Sequence, residues 1–234
     1  MTTIQTTPET LKAGLQLATT KLTTVQLNIS LIEILIGGPY KTEAGEDHPF
    51  GHAALRVITK NVQRIYDFGR YGKTRGLFGT EGEGILRVWS NFGTYITSEN
   101  ITGRTTTGYS YEVSEEKSEL TISYFNALTT PSEKRNATHP DSKVFKLKMD
   151  YDAINNNCVT TTLKGARLAL PTLDLVGKKF NIGRGMTESE RNAAKLSNFG
   201  WPSHIFMPED LRAMLEDKDS IHPERRLTYK SVKV

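Results

Sequence analysis

The stretch NNNCVTTTL (residues 155–163) contains the only cysteine in this 234-residue chain. Asparagine is a favoured N-cap residue, because its side-chain oxygen accepts a hydrogen bond from a backbone N–H of the first helical turn. Apolar side chains then recur on one face at three- and four-residue spacing up to residue 170, and Pro171 ends the pattern. The sequence therefore predicts a helix over residues 159–170, with Cys158 in its first turn.

A cysteine at the start of a helix has two interpretations. The positive end of the helix dipole and the unpaired backbone N–H groups favour the nucleophilic thiolate, which makes Cys158 a candidate reactive residue. A lone cysteine is also a common small buried hydrophobe. The choice between the two depends on whether the chain supplies a base.

Composition indicates an ordinary folded protein with a sizeable core. Hydrophobic residues make up 37% and charged residues 24% of the chain, which suits a single domain over residues 1–234 with its core over about residues 23–215 and a charged C-terminal tail. The net charge is +4, but basic and acidic residues are interleaved, so no nucleic-acid partner is expected. One cysteine cannot form an internal disulfide, so the fold does not need an oxidising compartment.

The N-terminal sequence predicts synthesis in the cytoplasm without a signal peptide. It lacks the basic start and the continuous apolar stretch of such a signal. No window of about 18 apolar residues occurs, so no integral membrane segment is expected. If the protein acts outside the cell that makes it, a dedicated machine must deliver it.

Hydrophobic periodicity and turn residues predict the other elements. The glycine-rich segment 69–84 lacks the Gly-Lys-Ser/Thr ending of a phosphate loop and is interpreted as a surface loop. The tail from Asp217 is charged and predicted to be frayed. Helices are predicted over residues 8–22, from Ser114 onward and over 188–196. Segment 201–215 is predicted to begin with a short strand and to end with a helix. The other strands are predicted over residues 25–36, 51–58, 62–68, 85–89, 94–97, 109–113 and 144–149.

The candidate base is one of five histidines. His52 follows Gly51 at the start of an apolar strand, where a rigid element would hold the imidazole ring. His204 is a second candidate. The histidines and the single cysteine offer too few ligands at short spacing for a metal site, so neither a metal nor a cofactor is expected. The other three histidines lie in polar loops or linkers: His48, His139 and His222.

Three motifs occur in a fixed order along the chain: GHAALRV (residues 51–57), YDFG (residues 66–69) and NNC (residues 156–158) at the start of a helix. Their pattern and order resemble the circularly permuted NlpC-like branch of papain-like cysteine hydrolases. In that branch the histidine strand precedes the cysteine helix, and the same order occurs in lecithin retinol acyltransferase-like enzymes. The resemblance covers roughly residues 32–170. It implies an α+β fold in which the cysteine helix packs on an antiparallel sheet of a six-stranded type.

The resemblance also implies roles for particular residues. Cys158 would be the nucleophile and His52 the base, and a polar residue on the strand after the histidine would orient the imidazole ring. Asp67 occupies a suitable place for that third residue. Asp47 and Tyr66 remain alternatives.

The usual substrate of the NlpC-like branch is a peptide bond in bacterial peptidoglycan. The resemblance therefore implies a cysteine peptidase or amidase, and the absence of an export signal favours an antibacterial effector that a type VI secretion system delivers into a competitor's periplasm. A secretion-machine carrier and an immunity protein would then be partners. Two other hypotheses stay open: a lipid-directed acyltransferase or thioesterase of the same permuted fold, and a non-catalytic binding or structural module.

Overall fold

The protein has an α+β fold in which helices pack on both faces of an antiparallel sheet. The computed structural model describes residues 29–41, 47–76, 80–101 and 103–230, and the helix predicted over residues 8–22 lies outside them. The strands are β1 (Ile29–Gly37), β2 (Tyr40–Lys41), β3 (Asp47–His48), β4 (His52–Ile58), β5 (Gln63–Gly69), β6 (Thr74–Arg75), β7 (Glu81–Gly82), β8 (Ile85–Trp89), β9 (Thr106–Ser114), β10 (Glu133–Arg135), β11 (Ser142–Lys146), β12 (Tyr151–Asp152) and β13 (Arg225–Tyr229). The helices are α1 (Phe92–Asn100), α2 (Glu115–Thr129), α3 (Cys158–Ala169), α4 (Glu188–Ser197) and α5 (Pro208–Leu215).

Eight of the strands form the main sheet, in the order β10-β11-β8-β5-β4-β1-β9-β13. Each neighbouring pair is antiparallel. Strand β1 lies between β4 and β9 and is buried along most of its length. Its nearly continuous apolar sequence follows from that position, because both faces of a central strand are covered.

The two faces of the sheet carry different helices. On one face, side chains of α3 and α2 form the large core with strand residues such as Leu55 and Tyr66. On the other face, Tyr95 of α1 packs with a smaller group that includes Ala54 and Ile65. Consecutive strand residues point to opposite faces, so each strand contributes to both cores.

Helix α3 lies close to the sheet and to α2 because of a glycine. A Cβ atom added at Gly165 would come within 2.6 Å of the Phe125 ring and 3.0 Å of Leu55. The hydroxyl of Thr121 donates a hydrogen bond to the Gly165 carbonyl oxygen at 3.2 Å. The helix that begins with Cys158 is thus held against β4 and β5 by close packing.

Most of the predicted elements are confirmed. The hairpin of β4 and β5 matches the two predicted strands around residues 51–68, and the cysteine helix spans Cys158–Ala169. Ser114 caps α2 as predicted, with its side chain accepting a hydrogen bond from the Lys117 N–H at 3.4 Å. Within the described ranges, no helix combines the length and the apolar character needed to cross a membrane.

The strand predicted over residues 94–97 is wrong, because these residues belong to α1. The Asn91 side chain caps this helix by accepting a hydrogen bond from the Thr94 N–H at 3.1 Å. Tyr95 and Ile96 pack on the sheet. Aromatic and β-branched residues favour strands locally, but here an N-cap and burial of one helical face outweigh that preference.

The frayed tail predicted from Asp217 is also wrong. Residues Arg225–Tyr229 form β13, which pairs with β9 at the edge of the main sheet. The Tyr229 hydroxyl donates a hydrogen bond to the buried Glu33 carboxylate at 2.7 Å. Most of β13 is exposed, so its sequence lacks the apolar alternation that would have predicted a strand.

Three further expectations need correction. The glycine-rich segment contains β6 and β7, which form a separate three-stranded sheet with β12. No strand occurs between residues 201 and 206. The main sheet has eight strands instead of the six that the resemblance implied, because β10 and β13 add to its two edges.

Candidate active site

The start of helix α3 is fixed by Asn157. Its side-chain oxygen accepts a hydrogen bond from the Thr160 N–H at 3.0 Å, and its own N–H donates to the Thr160 hydroxyl at 2.9 Å. Its amide nitrogen donates to the carbonyl oxygens of Ala153 at 2.7 Å and Phe206 at 2.8 Å. Because both ends of this amide are engaged, Cys158, the next residue, has a defined position in the first turn.

His52 is the first residue of β4 and pairs with Gly37 at the end of β1. Its Nε2 atom lies 2.7 Å from Oδ1 of Asp67 on the adjacent strand β5. The β4–β5 register pairs Leu55 with Tyr66, so Asp67 lies across from Ala54, two residues along from His52. This diagonal arrangement on neighbouring strands brings the imidazole and the carboxylate together.

Cys158 and His52 line the same cleft, which has a volume of ≈ 540 Å³. The proximity of Cys158 contributes to a raised pKa of His52. Because Asp67 engages Nε2, Nδ1 is the ring nitrogen left for a further partner. The structure brings together the three residues named from the sequence.

The Asp67 carboxylate is fully buried and accepts hydrogen bonds at both oxygens. The Tyr71 hydroxyl donates to Oδ1 at 2.9 Å, and Arg87 donates to Oδ2 from Nε at 2.7 Å and also from Nη2. Asp67 and Arg87 are direct partners across β5 and β8. Burial alone would raise the pKa of Asp67, but the charges of Arg87 and His52 hold it well below its usual range. Asp67 is therefore ionised at neutral pH.

His52 carries a positive charge at neutral pH. Burial alone would lower the pKa of His52. Asp67 and, to a smaller extent, Cys158 together outweigh this effect, so the pKa is raised to about 10. An imidazolium beside a thiol favours the thiolate through charge attraction. The cleft thus contains a cationic imidazole together with the Cys158 thiol.

Of the two alternatives to Asp67, Tyr66 does not share its geometry. The Tyr66 ring stacks on Phe125 at 3.9 Å on the opposite face of the sheet, where burial raises its pKa to about 12. Asp47 lies in β3, and its side chain is outside the described part of the structure. The second candidate base, His204, places Nε2 3.0 Å from the carbonyl oxygen of Ile154, so it contacts the turn that precedes α3.

Four residues of this network were not predicted from the sequence: Tyr71, Arg87, Glu99 and Arg104. Glu99 of α1 links the two arginines, with Oε1 2.9 Å from Nη2 of Arg87 and Oε2 2.7 Å from Nη1 of Arg104. The only signal for Arg87 is a cation within the apolar strand sequence ILRVW (residues 85–89). The role of Arg87 depends on the strand register and on the position of helix α1. The local sequence of residues 85–89 reveals neither of them.

The arrangement combines a thiol, an imidazole in the same cleft and a buried carboxylate that is bonded to the imidazole. These are the parts needed for acyl transfer through a covalent intermediate. Among the described residues, no cluster of three or more His, Cys, Asp or Glu side chains is arranged to hold a metal ion. Comparison of the chain with protein-family models, with curated proteins and with solved structures finds no match.

Proposed function

We propose that this protein is a cysteine hydrolase that cleaves an amide bond with Cys158, His52 and Asp67. The observation that carries the proposal is the position of the His52 ring, which lies 2.7 Å from Asp67 and lines the same cleft as Cys158. All three residues are at least nine-tenths buried, and two of them line an open cleft. A cysteine that serves only as a core hydrophobe needs neither the charged ring nor the carboxylate.

The first half of the reaction forms an acyl-enzyme. The Cys158 sulfur attacks the carbonyl carbon of the substrate, and the carbonyl electron pair moves onto oxygen. The Cys158 backbone N–H has no acceptor within its helix, so it can donate to this oxyanion, at a benefit of about 3 kcal/mol per donor. When the oxyanion collapses, the C–N bond breaks and the His52 imidazolium gives its proton to the leaving amine.

The second half of the reaction releases the acyl group. Neutral His52 removes a proton from water as the water oxygen attacks the thioester carbon. The C–S bond then breaks, the acid product leaves, and the thiolate–imidazolium pair is restored. Asp67 keeps its negative charge throughout and stabilises the imidazolium each time it forms.

The resemblance to the permuted NlpC-like branch supports a papain-like fold and a peptide bond of peptidoglycan as the target. The basic balance of the chain, with a net charge of +4, suits an anionic cell-wall polymer. We propose in addition that the protein is an antibacterial effector delivered into the periplasm of a target cell by a type VI secretion system, with an immunity protein as its cognate inhibitor. These statements rest on the order of the three motifs and on the resemblance that they carry.

Digestion of purified peptidoglycan tests the proposal. We expect new amine and carboxyl ends in the fragments by mass spectrometry, and we expect Cys158→Ala to reduce their formation by more than about 10³-fold. His52→Ala should have a similar effect, whereas His222→Ala, at an exposed position, should not. Release of fatty acid from phospholipid vesicles, with peptidoglycan left intact, would instead favour the lipid-directed enzyme.

Alkylation provides a readout that does not depend on the substrate. Because the chain has a single cysteine, iodoacetamide can form a thioether only at Cys158. We expect rapid labelling near neutral pH in the native protein and slow labelling in His52→Ala, because the imidazolium that favours the thiolate is lost. Equal labelling rates in the two proteins would contradict the hydrolase proposal.

A further inference from the structure

Two arginines share the Glu99 carboxylate, but they are bonded differently. Arg87 donates to both Asp67 and Glu99, and its guanidinium carbon lies 3.7 Å from the centre of the Tyr71 ring. Arg104 donates to Glu99 from Nη1 at 2.7 Å. Among the described residues, none accepts a hydrogen bond from the Arg104 Nε–H. Arg87 thus holds the triad through Nε and Nη2, whereas the one hydrogen bond from Arg104 to a described residue is the bond from Nη1 to Glu99.

Arg104 is 9% exposed and held in a defined position. Its guanidinium carbon lies 4.4 Å from the centre of the Tyr40 ring, so one face of the group is covered. A buried arginine normally has its donors paired, because an unpaired buried N–H costs free energy. An anchored guanidinium with unpaired donors in a cleft indicates a binding group.

The fold places Arg104 next to the catalytic residues. Its side chain crosses Gly37, where an added Cβ would come within 2.8 Å of the Arg104 Cδ atom. Gly37 is the β-sheet partner of His52, and neighbouring strands are about 5 Å apart. Arg104 also lines the cleft that contains Cys158. A substrate held at Cys158 therefore passes within reach of the guanidinium.

We propose that Arg104 binds a free carboxylate of the substrate, located within about one residue, or ~3.5 Å of extended chain, of the bond that Cys158 attacks. The inference deepens the hydrolase proposal and rests on it. A guanidinium presents N–H donors in a planar fork that matches the two oxygens of a carboxylate. Tyr40 covers the face of the group, so its terminal nitrogens are the part that meets the ligand.

Charge in the cleft favours an anionic ligand. The basic side chains that line it include Arg70, Arg87, Arg104 and His52, and Glu99 is the acidic side chain among the lining residues that the structure describes. Glu99 divides its single charge between two arginines. An ionised substrate group beside Arg104 would be attracted, whereas an ammonium group there would be repelled.

Matched alkylating probes test the proposal at the single cysteine. In each case the Cys158 sulfur bonds to the probe CH₂ carbon, and the C–I bond breaks with its electron pair leaving as iodide. The first pair is iodoacetate and iodoacetamide, and the second is N-iodoacetylglycine and N-iodoacetylglycinamide, whose carboxylate or amide lies one residue further from the reacting carbon. The measured quantity is the ratio of the labelling rates of acid and amide, in native protein, Arg104→Gln, Arg104→Lys and Arg70→Gln.

We expect the acid-to-amide ratio for at least one pair to fall about tenfold or more in Arg104→Gln, and to fall less in Arg104→Lys, which keeps the charge but loses the fork. Arg70→Gln removes the same charge from the same cleft and should change the ratio less. An unchanged ratio in Arg104→Gln, or an equal fall in Arg70→Gln, would overturn the proposed role of Arg104.

A competition experiment in the native protein covers the case in which Arg104→Gln does not fold. N-acetylglycine should slow labelling of Cys158 by iodoacetamide, and N-acetylglycinamide at the same concentration should not. Equal protection by the two compounds, or none by either, would overturn the carboxylate site while rapid iodoacetamide labelling still supported the hydrolase. A Cys158 that none of the four iodo probes labels would overturn both proposals.

Discussion

Two buried carboxylates in this protein have similar bonding but different partners. Asp67 and Asp210 are both fully buried, and each forms an ion pair with one arginine. Asp210 in the first turn of α5 accepts its other hydrogen bonds from the backbone N–H groups of residues 182, 183 and 184, at 3.1, 2.7 and 3.2 Å. Asp67 accepts its other hydrogen bonds from the side chains of His52 and Tyr71.

The two carboxylates differ in whether a partner of each one titrates. Backbone N–H groups do not titrate, so Asp210 fixes the path of a loop and its charge acts on nothing reactive. The imidazole next to Asp67 does titrate, and the carboxylate raises its pKa and holds the ring toward Cys158. A buried carboxylate therefore indicates a functional site when a titratable group in a cleft is among its partners, and burial alone is not sufficient.

The largest expected effect is on the catalytic rate of Asp67→Asn. The substitution keeps the shape of the side chain and removes the charge that stabilises the His52 imidazolium. We expect the rate of peptidoglycan cleavage to fall on the order of 10²- to 10⁴-fold. Asp210→Asn, assayed at equal concentrations of folded protein, should stay within a few-fold of the native rate. Similar losses in the two variants would remove the functional distinction between the carboxylates.

The second prediction concerns stability, where Asp210 should matter. Asp210→Asn leaves the Arg184 guanidinium and part of the 182–184 backbone without a charged acceptor. Because the Arg184 side chain is 36% exposed, water can solvate its charge, and the main cost is the loss of a charged acceptor for the backbone N–H groups, about 2 kcal/mol. We expect that decrease in the free energy of unfolding, measured by urea denaturation. A decrease below about 1 kcal/mol would show that water replaces the carboxylate at this loop.

Local sequence signals were sufficient for the residues nearest the reaction. The Asn157 cap and Pro171 predicted the cysteine helix, and the strand at His52 with its hairpin partner at Asp67 predicted neighbouring positions. Both signals act over fewer than about 20 residues, where periodicity and turn chemistry determine the structure. The contact between helix α3 and the hairpin is a tertiary feature that only the resemblance implied.

The outer part of the network could not be predicted in the same way. Arg87 reaches Asp67 through the β5–β8 register, which joins strands separated by the glycine-rich segment. Glu99 lies in helix α1, where the sequence predicted a strand over residues 94–97. Edge strand β13 is mostly exposed and highly charged, so it carries no apolar period. In each case the deciding interaction is distant in sequence.

The third prediction is a pH dependence of stability that belongs to His52. Its pKa is raised from 6.5 in the unfolded chain to about 10 in the folded protein, so the folded state binds the proton more tightly. The resulting stabilisation is complete below about pH 6.5 and is lost as pH rises toward 10, with a slope of up to about 1.4 kcal/mol per pH unit.

Urea denaturation at several pH values between about 6 and 10 measures this slope for the native protein and two variants. His52→Gln should lack the stabilisation that the His52 proton provides. The difference in the free energy of unfolding between native protein and this variant should therefore shrink as the pH rises. Asp210→Asn should keep the pH-dependent stabilisation from His52, because the backbone partners of Asp210 do not titrate in this range. A constant difference between native protein and His52→Gln would show that the ring does not hold a proton more tightly in the folded state.

The smallest expected effect is that of Tyr71→Phe, which removes one of the hydrogen bonds to Asp67 and keeps the ring over Arg87. Asp67 retains its charge because Arg87 and His52 still stabilise it, so we expect the cleavage rate to fall by less than about tenfold. The carboxylate would then act on His52 without competition at Oδ1, which should move the alkaline limb of the pH–rate profile slightly upward. Asp67→Asn removes the charge that stabilises the imidazolium, so it should move the same limb downward. A loss as large as that of Asp67→Asn would mean that the Tyr71 hydroxyl, 3.3 Å from Nε2 of His52, takes a direct part in holding the ring.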